Sequence, residues 1–180
     1  NAEESSLTTA FSNRLLAATK AGGVLVDDVA RLEGLDEGAI AAAAAAAKDA
    51  GHAGRWLLAL QNTTQHPALA SLKDRGLRLQ LLAASLERAQ KGDANDTRAI
   101  IQRLAALRAR KAELLGYPSY AAYGIADQMA GTPEVALKLL TDTVPAATAR
   151  ARAELAKIQA VVDARGGGFT AGAADWDLYA

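Results

Sequence analysis

Asp96–Pro133 reads DTRAIIQRLAALRARKAELLGYPSYAAYGIADQMAGTP, and its spacing decides the fold class. Ile100, Ile101, Leu104, Leu107, Leu114 and Leu115 form an apolar helical stripe, with Arg103, Arg108 and Arg110 largely outside it. Asn95, Asp96 and Thr97 offer side-chain acceptors for the free N–H groups at the start of that helix. Gly116-Tyr117-Pro118 closes it. A second helix is expected from Ser119 to about Met129. Gly131-Thr132-Pro133-Glu134 then reads as a stop, a cap, a first-turn proline and a carboxylate placed at the positive end of a third helix. The class this pattern predicts is all-α: a multi-helix lobe with at most one or two short strands.

Upstream, Leu7, Phe11, Leu15 and Ala18 mark a first helix, which Gly22-Gly23 breaks. Asp27-Asp28 caps a short helix through Leu32. Asp36 as N-cap, with Leu35 before it and Ile40 at the fourth helical position, is a hydrophobic staple. The helix it opens carries seven consecutive alanines, Ala41–Ala47, which lose no side-chain entropy and favour close packing against neighbours. Arg55–Gln61 is the strand candidate, although a helical turn fits almost as well. Pro67 is expected at the first position of the next helix, where its missing N–H costs nothing. Within Asp74–Gln90, leucines 77, 79, 81, 82 and 86 cover a broad buried face.

Downstream, a long helix is expected to reach Arg165. Pro145 removes one of its hydrogen bonds and crowds the Thr141 carbonyl, which predicts a kink or break. Ala147, Ala151, Leu155, Ile158 and Val162 continue a face, and Gly166-Gly167-Gly168 ends it. Asp175 reads as the cap of a further helix whose first turn begins at Trp176. One isolated turn does not hold itself, so residues 1–180 are expected to form a single helical lobe, incomplete at its C-terminus.

Apolar residues make up 51% of the 180, but aromatics only 4%, so the core should be helices joined through small side chains. Twenty basic and twenty acidic residues give a formal charge of zero, which argues against a nucleic-acid or anionic-membrane partner. Residues 51–131 are mildly basic, with eleven positive and six negative side chains. There is no cysteine, hence no disulfide framework and no thiolate metal site. No apolar run approaches the ~20 residues that span a bilayer. The compartment expected is the cytoplasm, with the periplasm as the alternative.

The chemistry-bearing side chains are few. His52 and His66 are fourteen positions apart and neither is followed by Glu. A His-Glu-x-x-His helix, which sets two zinc ligands on one face beside a catalytic carboxylate, is therefore missing. His52 follows Ala50-Gly51, where its imidazole can meet the last carbonyls of a helix. Asn62, Thr63, Thr64 and His66, with Gln65, form the one polar cluster that resembles a ligand contact; satisfaction of a local turn is the blander reading. Arg103, Arg108, Arg110 and Lys111 make a basic face, read as solvated or paired with acids of a neighbouring helix. Tyr117, Tyr120 and Tyr123 share a side and are read as packing.

Four blocks carry a family resemblance: Arg14–Gly34 (RLLAATKAGGVLVDDVARLEG), Asn62–Gly76 (NTTQHPALASLKDRG), the Asp96–Pro133 stretch, and Glu154–Ala180 (ELAKIQAVVDARGGGFTAGAADWDLYA). Their order and spacing resemble the thimet-oligopeptidase-like zinc metallopeptidases, most closely the bacterial peptidyl-dipeptidase branch, along nearly the whole chain. The chain departs from that pattern in its poly-alanine run and its glycine-rich tail. The resemblance implies a helical fold of two lobes around a deep channel, zinc on the channel floor, and release of dipeptides from the free C-terminus of oligopeptides. It also implies that the zinc helix lies C-terminal to everything present here, so no catalytic or metal residue is carried onto this chain. The expectation is an N-terminal fragment that is inactive alone and works with the C-terminal catalytic part of the same protein. In that setting Asn62, Thr63, Thr64 and His66 are the channel-facing candidates. Such a fragment should expose apolar area where its remainder packs, and that face is also the one through which copies of the chain would self-associate. The alternative is a stand-alone helical protein- or peptide-binding module; a nucleic-acid-binding bundle is the third reading.

Overall fold

The computed structural model describes residues 2–180. The elements run α1 (Ala2–Ala21), β1 (Gly23–Val26), α2 (Glu37–Asp49), β2 (Trp56–Ala59), α3 (Asn62–Ser71), α4 (Arg75–Leu86), α5 (Arg98–Leu114), α6 (Tyr120–Ile125), α7 (Pro133–Ala164) and α8 (Trp176–Tyr179). Short 3₁₀ turns occupy Val29–Leu32 and Ala173–Asp175. The all-α expectation with one or two short strands holds. These elements divide into two compact units: residues up to Asn13 with Thr97–Ala153, and Arg14–Asp96 with Glu154–Ala180.

The second unit holds an apolar core of Val26, Leu32, Leu58, Leu60, Leu69, Leu72, Leu77 and Leu81, with Ala43 and Ala68 closing the gaps. Local signals build it. Asp28 accepts from the Ala30 N–H, Asp36 from Ala39 and Asp74 from Leu77, so three helical starts are capped by aspartate. Leu35 and Ile40, the two arms of the staple, both pack on the core. β1 pairs antiparallel with β2 in the register Gly23↔Ala59 to Val26↔Trp56. The strand expected within Arg55–Gln61 is therefore real; its partner β1, read from sequence only as a break, is new. A second cluster joins Ile158 and Val162 of α7 to Ala171, with Leu155, Phe169, Trp176 and Tyr179 against it.

Gly34 is fixed by contact. Its φ is +103°, and a Cβ there would overlap the Ser71 carbonyl oxygen, while the Lys73 N–H donates to the Glu33 carbonyl 2.9 Å away. The turn after the first 3₁₀ segment thus lies directly on the end of α3.

In the first unit α5 buries Ile100, Leu104 and Ala112. The expected stripe is narrower than its sequence, because Ile101, Leu114 and Leu115 are at least half exposed. Gly116 ends α5 as expected: at φ +78° it lets the Tyr117 N–H reach the Ala112 carbonyl (2.9 Å) and its own N–H reach Glu113 (3.0 Å), a Schellman closure. Ser119 caps α6 through the Ala122 N–H, although α6 stops at Ile125, short of the expected Met129.

Pro67 does not start its helix, and Pro145 does not break the one it lies in. Pro67 lies inside α3, whose N-cap is Gln61, so the helix begins five residues earlier than the proline suggests. Pro145 lies inside α7, which runs on from Pro133 to Ala164. The residues around Pro145 are exposed, so water can satisfy the carbonyl it strands, and the helix is not broken.

Candidate functional site

The expected polar cluster forms the first turns of α3 and is helix, not turn. Gln61 makes no side-chain capping bond; its carbonyl accepts from the Thr64 and Gln65 N–H groups (2.9 and 2.7 Å). Thr63 and Thr64 line a groove of about 360 Å³, with Ala39, Ala42 and Ala46 of α2 on one side and Leu57, Leu58 and Ala59 of β2 along its length. Asn62 and His66 are exposed and are not part of this lining. The structure thus brings together two of the four candidates. The poly-alanine helix gives the groove its width, because no side chain beyond a methyl projects from that stripe.

Sequence reasoning missed a heavily bonded buried carboxylate. Asp175 is fully buried. It stands at the N-cap of α8, as expected, but its side chain makes no capping bond there. Its carboxylate accepts instead from Arg78 Nη2 (2.7 Å), from Arg75 Nε and Nη2 (3.0 and 3.1 Å) and from the Gly172 N–H (3.0 Å). Arg78, also buried, donates through Nε to Ala174 (2.9 Å) and through Nη1 to the Leu72 and Lys73 carbonyls (2.9 and 3.1 Å). Burial pushes the Asp175 carboxyl up, but the donors from Arg75, Arg78 and Gly172 outweigh it and hold it below the usual carboxylate range. Arg75 also stacks 4.2 Å from the centre of the Phe169 ring. The sequence signal was the Arg75/Arg78 pair, three apart on a helix otherwise rich in leucine. This cluster ties the C-terminal segment to α4 and the end of α3, and because both carboxylate oxygens of Asp175 are taken by protein donors its role is structural.

In the first unit the basic face is paired, as one of the two sequence readings has it. Arg103 Nε meets Glu3 at 2.7 Å, Arg108 Nε meets Glu4 at 3.1 Å, and Lys111 Nζ lies 3.5 Å from Glu4. The Arg103 guanidinium lowers the Glu3 pKa, and Arg108 with Lys111 lowers that of Glu4. Arg108 and Lys111 lie 5.3 and 5.4 Å from the Tyr120 and Tyr123 rings, and Tyr117 meets Tyr123 edge-on at 5.4 Å. The three tyrosines pack on each other and on this basic face.

His52 closes α2 through its backbone, its N–H donating to the Ala47 carbonyl (2.8 Å). Among the described residues no three His, Asp or Glu side chains gather as a metal would require, and none of the described helices is long and apolar enough to cross a membrane. Among the described residues no set of side chains fits a zinc site.

Comparison with known proteins adds the context. Residues 68–180 match the model of peptidase family M3. The chain is 56% identical over its full length to the dipeptidyl carboxypeptidase of Escherichia coli K12, and 52% identical to that of Salmonella typhimurium LT2; in each case it covers 26% of the relative. A probable cytosolic oligopeptidase A of Arabidopsis thaliana is 39% identical over 140 residues, 74% of this chain and 20% of the plant protein. The chain spans about a quarter of the length of the curated relatives it matches.

Proposed function

Because this chain belongs to peptidase family M3, we propose that it is a helical part of a zinc-dependent peptidyl-dipeptidase, which releases dipeptides from the free C-terminus of oligopeptides. The observation that carries this reading is the 56% identity to a dipeptidyl carboxypeptidase across all 180 residues. The zinc site belongs to the remainder of the longer protein, where a His-Glu-x-x-His helix supplies two ligands and a general base. The role of the present residues is to wall the channel and limit what enters it, with Asn62, Thr63, Thr64 and His66 on the channel side. The exposed Val135, Leu137, Leu139, Leu140 and Val144 of α7 support a part of a larger protein over a stand-alone module, since apolar patches on a finished surface are usually covered by a partner. We place the protein in the cytoplasm, to be checked by cell fractionation.

The test is dipeptide release from an N-blocked peptide with a free C-terminus. The full-length protein should release it, lose the activity to a chelator and regain it with zinc, while residues 1–180 alone should release none. Zinc-dependent release by the short chain, or none by the full-length protein, overturns the reading.

A further inference from the structure

Leu57, Leu58 and Ala59 are consecutive, yet all three line the α2/α3 groove. Successive side chains of a strand point to opposite faces. A groove that touches all three therefore runs against the β2 backbone as well as its side chains. The opposite edge is taken by β1, and among the described residues the sheet has no third strand. In an antiparallel pair every second residue turns its N–H and C=O away from its partner, so the edge of β2 away from β1 carries strand-spaced donors and acceptors that no strand among the described residues pairs. Facing that edge is the methyl-lined stripe of α2; Thr63, Thr64 and Ser71 of α3 add hydroxyls. The single charge in the lining is Asp36, whose Oδ1 caps Ala39 at 2.7 Å.

We propose that this groove binds an extended peptide by strand addition to the free edge of β2, with small side chains toward the α2 alanines and an uncharged or basic residue near Asp36. Backbone groups at strand spacing are matched by another extended backbone. The alanine stripe leaves room for it, and the lone carboxylate selects against acidic sequences. The choice of a peptide ligand rests on the peptidase reading above. The binding itself needs no zinc.

The experiment is titration of the 180-residue chain, in EDTA, with acetyl-Ala-Val-Ala-Val-Lys-amide, read by hydrogen exchange of the β2 amides. The peptide should slow exchange of the outward-facing amides of Leu57–Ala59. N-methylation of alternate peptide residues, which removes the edge hydrogen bonds, should weaken binding at least tenfold. Ala42→Phe fills the groove from an exposed helical position and should weaken it as much. A Glu-terminated peptide should bind several-fold more weakly than the Lys form, and Asp36→Asn, which keeps a capping oxygen, should erase that difference. Equal binding of the N-methylated peptide, indifference to Ala42→Phe, or no protection of β2 overturns the proposal. So does a change in the sedimentation of the free chain on Ala42→Phe, which would make a second copy the occupant. Because no dipeptide release is measured, failure here leaves the peptidase reading standing, and failure of that reading leaves this binding measurable.

Discussion

The two units place the same kinds of residue in opposite settings. In the second unit leucines close on one another: Leu32, Leu72, Leu77 and Leu81 have no exposed surface. The buried Arg78–Asp175 ion pair, with the partly exposed Arg75 at its edge, also lies there. In the first unit charge pairs stay at the surface, and leucines 137, 139 and 140 are about 60–70% exposed. α7 shows the contrast within a single helix: Ile158 and Val162 are buried near its end, and no residue of its first half is. Similar composition therefore says little about burial. An apolar helix with no covering element keeps its shape through backbone hydrogen bonds, while its side chains await a partner.

The contrast should be sharpest at Asp175. Asp175→Ala leaves Arg78 with a buried, uncompensated charge and should cost about 3–5 kcal/mol. In hydrogen exchange the loss of protection should concentrate in α3, α4 and β2 and spare α5; equal loss throughout would break the distinction between the units. Next come matched truncations. Leu81→Ala should cost about 2–5 kcal/mol. Leu140→Ala, in the exposed half of α7, should stay within about 0.5 kcal/mol, and urea denaturation of the pair measures the difference. Leu137→Lys with Leu140→Lys should lower dye binding to exposed apolar surface while leaving the melting midpoint in place.

Gly34→Ala follows, at about 1–3 kcal/mol, from backbone strain and the clash with Ser71, read from the thermal midpoint. Acid has a graded effect. Asp175 and Asp74, the latter held by Arg31 at 2.7 Å, both titrate below the ordinary carboxylate range when folded. The stability they contribute is complete above about pH 4, the unfolded value, and drains as pH falls through the folded values. Asp74→Asn should flatten part of that acid limb. The smallest effect is expected at Glu3→Gln in the first unit, a surface pair weakened by salt, where 1 M NaCl should mimic the substitution.

Much of this was legible in the sequence because helix ends are written locally. Asp28 and Asp36 act as the caps their positions suggest, α4 and α6 start beside Asp74 and Ser119 as expected, and glycines 116 and 166 stop the helices they follow. The prolines misled because position alone cannot say whether a helix already runs upstream, and α3 does so from Asn62. β1 was hidden because four residues carry no measurable alternation and its pairing depends on β2, thirty or more residues away. Asp175 was half read: it stands at the N-cap of α8 as its position suggests, but the partners of its side chain lie near residue 75. Of the candidate site, the chemistry of Thr63 and Thr64 was visible. The groove they line was not, since it is made by the absence of side chains on α2.

The bond from Arg78 to Asp175 spans 97 positions, and that separation is also an interval of time. A ribosome adding about 5–20 residues per second delivers the aspartate roughly 5–20 s after the arginine. Until then Arg78 must remain in water, because a guanidinium buried without its counter-charge is strongly disfavoured. Helix α4 can form early, but it cannot settle into its final seat, and the second unit is completed only when its last few residues arrive.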